Sequence, residues 1–132
     1  MKRTLLFAVA ISVLLAVVAV GCQSGGRGGE EVEIRPAPIH ESQVNIVESD
    51  PPQVFVHIKA GLPDACTNFH EIKTERHDNT IDINVTIERP KDKICAQVYT
   101  YFGGYVDLGI EFAPGESYTI NVNDKMTTFV MP

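Results

Sequence analysis

The chain has 132 residues, eleven Lys and Arg against seventeen Asp and Glu, a net charge of −6, no tryptophan and three cysteines. Once an export segment is set aside, that length suits one domain with one core and leaves no room for a second. A domain this acidic argues against nucleic acid or anionic lipid as its main ligand and leaves protein, carbohydrate or a cation as the partner class.

The N-terminus reads Met1-Lys2-Arg3-Thr4, then an apolar run from Leu5 to Val20 broken only by Ser12. A positive head, a hydrophobic centre and small residues at the end form the layout of a secretory signal peptide, here over 1–21. The sixteen residues of the run fall short of the ~20 that a permanent helical span requires. Ala19-Val20-Gly21-Cys22 resembles the lipobox of bacterial lipoproteins, with Ala19 where that family usually has Leu. The resemblance implies cleavage ahead of Cys22, lipidation of its sulfur and a mature protein held on the extracytoplasmic face of the cell membrane. Acyl chains hold by burying methylenes at ~0.8 kcal/mol each, so several chains on one cysteine make release slow. Lys2 and Arg3 leave with the signal and all seventeen acidic residues stay, which takes the charge of the mature chain to −8.

Residues 22–42 follow as lipidated cysteine and linker. Gly25, Gly26, Gly28 and Gly29, then Glu30, Glu31 and Glu33, then Pro36 and Pro38 make a stretch that buries too little apolar surface to offset its ordering entropy, so a flexible spacer is expected.

From Gln43 to Pro132 the pattern becomes alternation. Ile81, Ile83, Val85 and Ile87 fall on one face and Asp82, Asn84, Thr86 and Glu88 on the other, which is a half-buried strand of period two. Gln53–Ala60 repeats it, with Val54, Val56, Ile58 and Ala60 opposite Phe55, His57 and Lys59. His77-Asp78-Asn79 predicts a hairpin turn between strands at 69–76 and 80–87. A strand is expected over Ile94–Phe102, broken at Gly103-Gly104, with the next over Tyr105–Phe112. A final hairpin turns near Asn123-Asp124-Lys125 between Tyr118–Val122 and Thr127–Met131. Prolines 51, 52, 63, 90 and 114 fall between strands, where they remove no ladder hydrogen bond. About seven short strands with regular turn signals predict an all-β, antiparallel sandwich of immunoglobulin-like topology, with a small barrel as the rival architecture.

The run Phe112-Ala113-Pro114-Gly115-Glu116-Ser117-Tyr118 resembles the entry to the penultimate strand of fibronectin-type-III and related immunoglobulin-like domains. There a Pro-Gly turn precedes a tyrosine whose hydroxyl is tied to nearby backbone; the resemblance implies that role for Tyr118. Cys66 and Cys95 are the even remainder after Cys22, which in an exported chain argues for a disulfide. The rival use, two ligands of a metal site, lacks a Cys-x-x-Cys pair.

Candidate chemistry is sparse. Cys66, His70 and His77 are close in sequence, but a metal site needs three or four convergent donors, so His57, His70 and His77 read as surface residues. The acidic residues, Asp82, Glu88 and Asp107 among them, are scattered instead of clustered, with no calcium-loop spacing. Ser42, Ser49 and Ser117 lie in spacer or turns without a nucleophile elbow. No catalytic residue, metal or cofactor is expected. Tyr99, Tyr101, Phe102 and Tyr105 crowd around the double glycine. Tyrosines offer rigid area with a polar end, so Tyr101, Phe102 and Tyr105 are the candidate partner contacts; parity sets Tyr99 and Tyr101 opposite Val98, and since one of these faces must be core, core packing of part of the cluster is the alternative. The expected function is a membrane-anchored envelope lipoprotein whose sandwich is a non-catalytic binding or structural module. An immunoglobulin-like envelope protease inhibitor is the alternative.

Overall fold

The computed structural model describes residues 29–132. The expected signal peptide, the expected lipidation site Cys22 and the start of the expected linker lie outside the described residues. Eight strands follow one another: β1 (Val32–Pro36), β2 (Ile39–Val47), β3 (Gln53–Leu62), β4 (Asn68–His77), β5 (Thr80–Pro90), β6 (Thr100–Gly109), β7 (Ser117–Val122) and β8 (Lys125–Val130). They form two sheets, one of five strands built on β5 and one in the order β2-β3-β6. The all-β sandwich expected from the alternation is the architecture found.

Period-two patterning explains the core. Val54, Val56, Ile58 and Ala60 of β3 face Ile81, Ile83, Val85 and Ile87 of β5, joined by Tyr118, Ile120 and Val122 of β7, all buried. Each fully buried Ile or Val contributes about 1.5–3 kcal/mol over its exposed state. Asp78 takes φ 52° at the tip of the β4–β5 hairpin and Asn123 φ 51° between β7 and β8, the left-handed positions that short polar residues tolerate in tight turns.

One edge of β5 is divided. β4 pairs along the other edge from Thr80 to Glu88. On the divided edge β7 runs parallel to Thr80–Ile83, and β1 runs antiparallel to Thr86–Pro90. Asn123 fills the gap between them. Its Oδ1 accepts from Val85 N–H at 2.9 Å, and its Nδ2 donates to Ala37 O at 2.8 Å and Val85 O at 2.9 Å. A buried strand edge without such partners would leave backbone groups unsatisfied.

Three sequence expectations are corrected. Residues 32–42, expected in the flexible spacer, are β1 and the first part of β2, so the sandwich begins at Val32 and not at Gln43. The reason is tertiary: β1 covers the half of β5 that β7 leaves open. Pro36 and Pro38 do not obstruct, because Ala37 between them donates to Val85 O at 2.9 Å. Second, the strand expected over Ile94–Phe102 starts only at Thr100, since 91–96 is held by loop contacts instead of a ladder. Third, Gly103-Gly104 does not break the chain; both sit mid-strand in β6, in unbroken register with Lys59 and Ile58. A Cβ on Gly103 would lie 2.8 Å from Ile58 O, so glycine here permits close approach of β6 to β3.

Candidate functional site

At one end of the sandwich two loops are fastened together. Cys66 and Cys95 form a disulfide with Cα atoms 5.8 Å apart. Ala65 N–H donates to Ala96 O at 3.0 Å. Beside the bridge Asp64 is buried. Its Oδ2 accepts from Arg89 Nε at 2.6 Å, and its Oδ1 from Thr67 Oγ1 at 2.8 Å and Cys66 N–H at 3.0 Å. The Arg89 guanidinium, then the Thr67 hydroxyl, hold the Asp64 carboxyl down to about 2 against its ordinary 3.8. Arg89 also donates to Pro90 O and Lys93 O, each at 2.9 Å. This fastening sets where the chain enters β6.

Just past it lies a strip of aromatic side chains on the outer face of the three-stranded sheet. In β3 the outward residues are Phe55, His57, Lys59 and Gly61, opposite Asp107, Tyr105, Gly103 and Tyr101 of β6. His40 is the extra residue where the β2 ladder shifts between Ile39 and Glu41, and a bulge of this kind re-aims a side chain. Tyr99 Oη and His40 Nε2 share a hydrogen bond of 2.6 Å. His40 meets Tyr101 edge-on at 4.9 Å and Tyr99 at 5.6 Å; Tyr99 and Tyr101 are 5.3 Å apart. Lys59 Nζ stands 4.9 Å over the Tyr101 ring and pairs with Glu41 at 3.2 Å. Farther along, His57 and Tyr105 pack at 5.0 Å. Tyr99 lies across β3 because Gly61 has no side chain; any Cβ there would collide with the Tyr99 ring.

The three tyrosines are nevertheless 44, 55 and 70% exposed in chain order. Aromatic rings already ordered by neighbours lose little entropy on contact, which is what a binding surface requires.

Of the candidate contacts, Tyr101 and Tyr105 lie on this strip. Phe102 does not, and is corrected: strand parity turns it inward, where it packs on Phe69 at 5.3 Å. With Ile58, Phe69, Ile72, Gly103 and Gly104 it lines an apolar groove of ≈ 210 Å³ between the β4 and β6 edges. His40, Gly61 and Lys59 join the strip without having been candidates. Parity could have signalled Lys59, whereas His40 falls in a stretch that reads as spacer.

The remaining candidates are dispersed. Cys66 is in the bridge, His70 Nδ1 bonds Thr86 Oγ1 at 3.0 Å, and His77 sits at the far hairpin near Glu75. Asp82 accepts from Asn121 at 2.7 Å, while Asp107, on the other sheet, accepts from Gln53 at 2.9 Å. Ser42 Oγ is buried and has no hydrogen-bond partner. The Tyr118 hydroxyl accepts from Ala113 N–H at 2.7 Å, the tie implied by the fibronectin-type-III resemblance.

Comparison with known proteins bears on this sandwich. An uncharacterized 10.2 kDa protein in the HgiCIIM 5′ region of Herpetosiphon aurantiacus is 46% identical over 86 residues, 65% of this chain and 90% of that protein. Two more 10.2 kDa proteins of that organism, in the HgiBIM and HgiEIM 5′ regions, are each 49% identical over 76 residues, 58% of this chain and 92% of theirs. No solved structure gives a significant match. Residues 56–131, from the middle of β3 to the end of β8, match the family model of the ORF11 β-sandwich domain. That stretch carries the disulfide, the Asp64–Arg89 pair and most of the aromatic strip, and by it the chain belongs to the ORF11 β-sandwich domain family.

Proposed function

We infer that this protein is a lipid-anchored, non-catalytic binding module of the cell envelope, tethered through Cys22 and contacting a protein or carbohydrate partner with the outer face of β2-β3-β6. The observation that carries the reading is the exposed, mutually ordered strip of His40, Tyr99, Tyr101, His57 and Tyr105. Such a surface offers area and hydrogen-bonding tips together. A tether holds it near its partner at high effective concentration. The absence of any sequence pattern for nucleophile, acid pair or cofactor supports a binding role over an enzymatic one.

Two measurements test it. Intact mass of the protein from its native membrane, before and after reduction, is expected to show loss of residues 1–21, acyl mass on Cys22 and a two-proton gain from one disulfide; an unacylated chain overturns the anchor. Photo-crosslinking from position 101 or 105 in the native envelope is expected to trap one partner, and Tyr101→Ala with Tyr105→Ala to abolish trapping from position 99. Trapping that survives both substitutions overturns the strip as the contact.

A further inference from the structure

The two ends of the sandwich differ in a way the binding strip does not explain. One end carries loop 63–67, the segment 91–99 and the start of the described chain. Lys91 N–H donates to Glu31 O at 2.9 Å and Lys91 Nζ pairs with Glu31 at 3.1 Å, so the first described residues lie beside this loop. On the same segment Ile94 is 101% exposed and Val98 53%. Val32, the first residue of β1 and paired with Pro90, is 45% exposed. Ile94 thus stands wholly in water next to Cys95 of the disulfide that braces its loop.

The arrangement has three parts that point one way. The loop is braced from beneath by the Cys66–Cys95 bridge, by the Arg89 donation to Lys93 O and by the Ala65–Ala96 backbone bond. The segment itself carries Lys91 and Lys93 against Asp92, with Glu31 and Glu33 on the strand beside it, in a chain whose net charge is −6. The two lysines on the segment offset part of the repulsion that keeps the rest of the domain off an anionic surface. Finally, Glu31 follows Cys22 by nine positions, and a chain of that length reaches at most about 30 Å. An acyl group on Cys22 would hold this end, on average, nearer the bilayer than the opposite one.

We propose that the segment Lys91–Val98 is a membrane-touching tip, which seats Ile94 and Val98 in the interfacial region of the lipid to which Cys22 is anchored. The inference rests on the anchor reading above and deepens it. The tip fixes the domain upright, with the strands running away from the membrane and the tyrosine strip facing sideways across the envelope. The lysine ammoniums stay at headgroup level while the two apolar side chains enter below them, as interfacial segments do.

The protein contains no tryptophan, so a single introduced one reports depth directly. Full-length Ile94→Trp and, as the far-end control, Glu48→Trp are expressed in cells, and the mature proteins are reconstituted in phosphatidylethanolamine–phosphatidylglycerol vesicles with brominated acyl chains. The indole at position 94 is expected to be quenched and blue-shifted, and the indole at position 48 to behave as in buffer. A second pair separates probe from protein. Gln97→Trp is expected to be quenched, and adding Ile94→Asp to that chain is expected to lower quenching by about tenfold, the scale of one apolar side chain lost from lipid. Intact mass read on the same samples distinguishes the two readings. Acyl mass on Cys22 with position 94 unquenched leaves the anchor and overturns the tip. No acyl mass with position 94 quenched on added vesicles overturns the anchor and keeps the tip. Quenching at both ends overturns the upright pose. An unquenched position 94 that photo-crosslinks to a protein overturns the tip and hands the loop to a protein cleft, as the protease-inhibitor alternative would have it.

Discussion

Two aromatic clusters built from similar parts sit in opposite environments. Between the sheets Phe112, Tyr118 and Phe129 pack with centroids 4.9, 5.9 and 5.6 Å apart, Arg76 stands 4.6 Å over Phe112, and the Tyr118 hydroxyl is bonded to backbone. On the outer sheet face Tyr99, Tyr101 and His40 pack at much the same separations, Lys59 stands over Tyr101, and the Tyr99 hydroxyl is bonded to His40. Tyr118 is 3% exposed, whereas Tyr101 is 55% exposed. Ring geometry is thus common to both, and what separates them is whether a second layer covers the rings. The first cluster uses its area for folding; the second keeps its area for contact.

The largest expected effect follows from the covered cluster. Tyr118→Ala removes a buried ring and the acceptor of Ala113 N–H, and a loss of about 3–5 kcal/mol is expected for a large aromatic truncated in a core. Urea denaturation followed by far-ultraviolet circular dichroism measures it. A loss under one-third of that size would mean that Phe112 and Phe129 close over the gap, and the contrast between the clusters would be one of degree.

Next in size is the fastening beneath the open strip. Cys66→Ser with Cys95→Ser frees a loop of sequence separation 29, and the chain-entropy model gives about 3–4 kcal/mol for a loop of that length. Tyr99 lies four residues after Cys95, so the same change is expected to raise amide exchange at 97–101 while leaving 112–118 protected. The Asp64–Arg89 pair beside it gives an acid limb. Because folding lowers the Asp64 carboxyl to about 2 from 3.8, its contribution is complete above about pH 4 and is lost as pH falls from 4 toward 2. Denaturation midpoints taken across pH 5 to 2 are expected to drop over that window, and Asp64→Asn to start lower and flatten the drop.

These contrasts also show what the sequence carries and what it does not. Ile81 to Ile87 declares β5 because one face is entirely β-branched and apolar, and Tyr118 declares its corner through the Pro-Gly turn before it. β1 is illegible because every one of its residues stays exposed; it exists to pair the part of β5 that β7 does not reach, and local composition holds no record of that. His40 is hidden for the same reason, being placed by a bulge in a strand that reads as spacer. Around Gly103-Gly104 the error runs the other way. Two glycines signal a break when only the chain is read, but here both continue the strand, and Gly103 is the one that the approach of β6 to Ile58 requires. For Tyr101, Phe102 and Tyr105 the sequence shows that two faces alternate but not which of them is core; pairing with β3 decides it, turning Tyr101 and Tyr105 outward with Gly61 and His57 and Phe102 inward with Ala60.

Smaller effects separate the strip's order from its stability. Gly61→Ala puts a methyl where the Tyr99 ring lies, an overpacking of about 1–3 kcal/mol if the ring cannot move. The ring is at the surface, so it is expected to swing out and break the bond to His40, with most of the penalty relieved. Loss of the His40–Tyr99 contact by NMR with a shift in stability under ~1 kcal/mol would show that the strip is ordered independently of the fold. Tyr101→Ala is the limiting case. It uncovers Lys59 and one edge of His40 but opens no core cavity, so stability is expected to stay within ~0.5 kcal/mol, as measured by urea denaturation. A loss comparable to that of Tyr118→Ala would mean that the outer rings support the sheet, and the division between a folding cluster and a contact cluster would fail at its most exposed member.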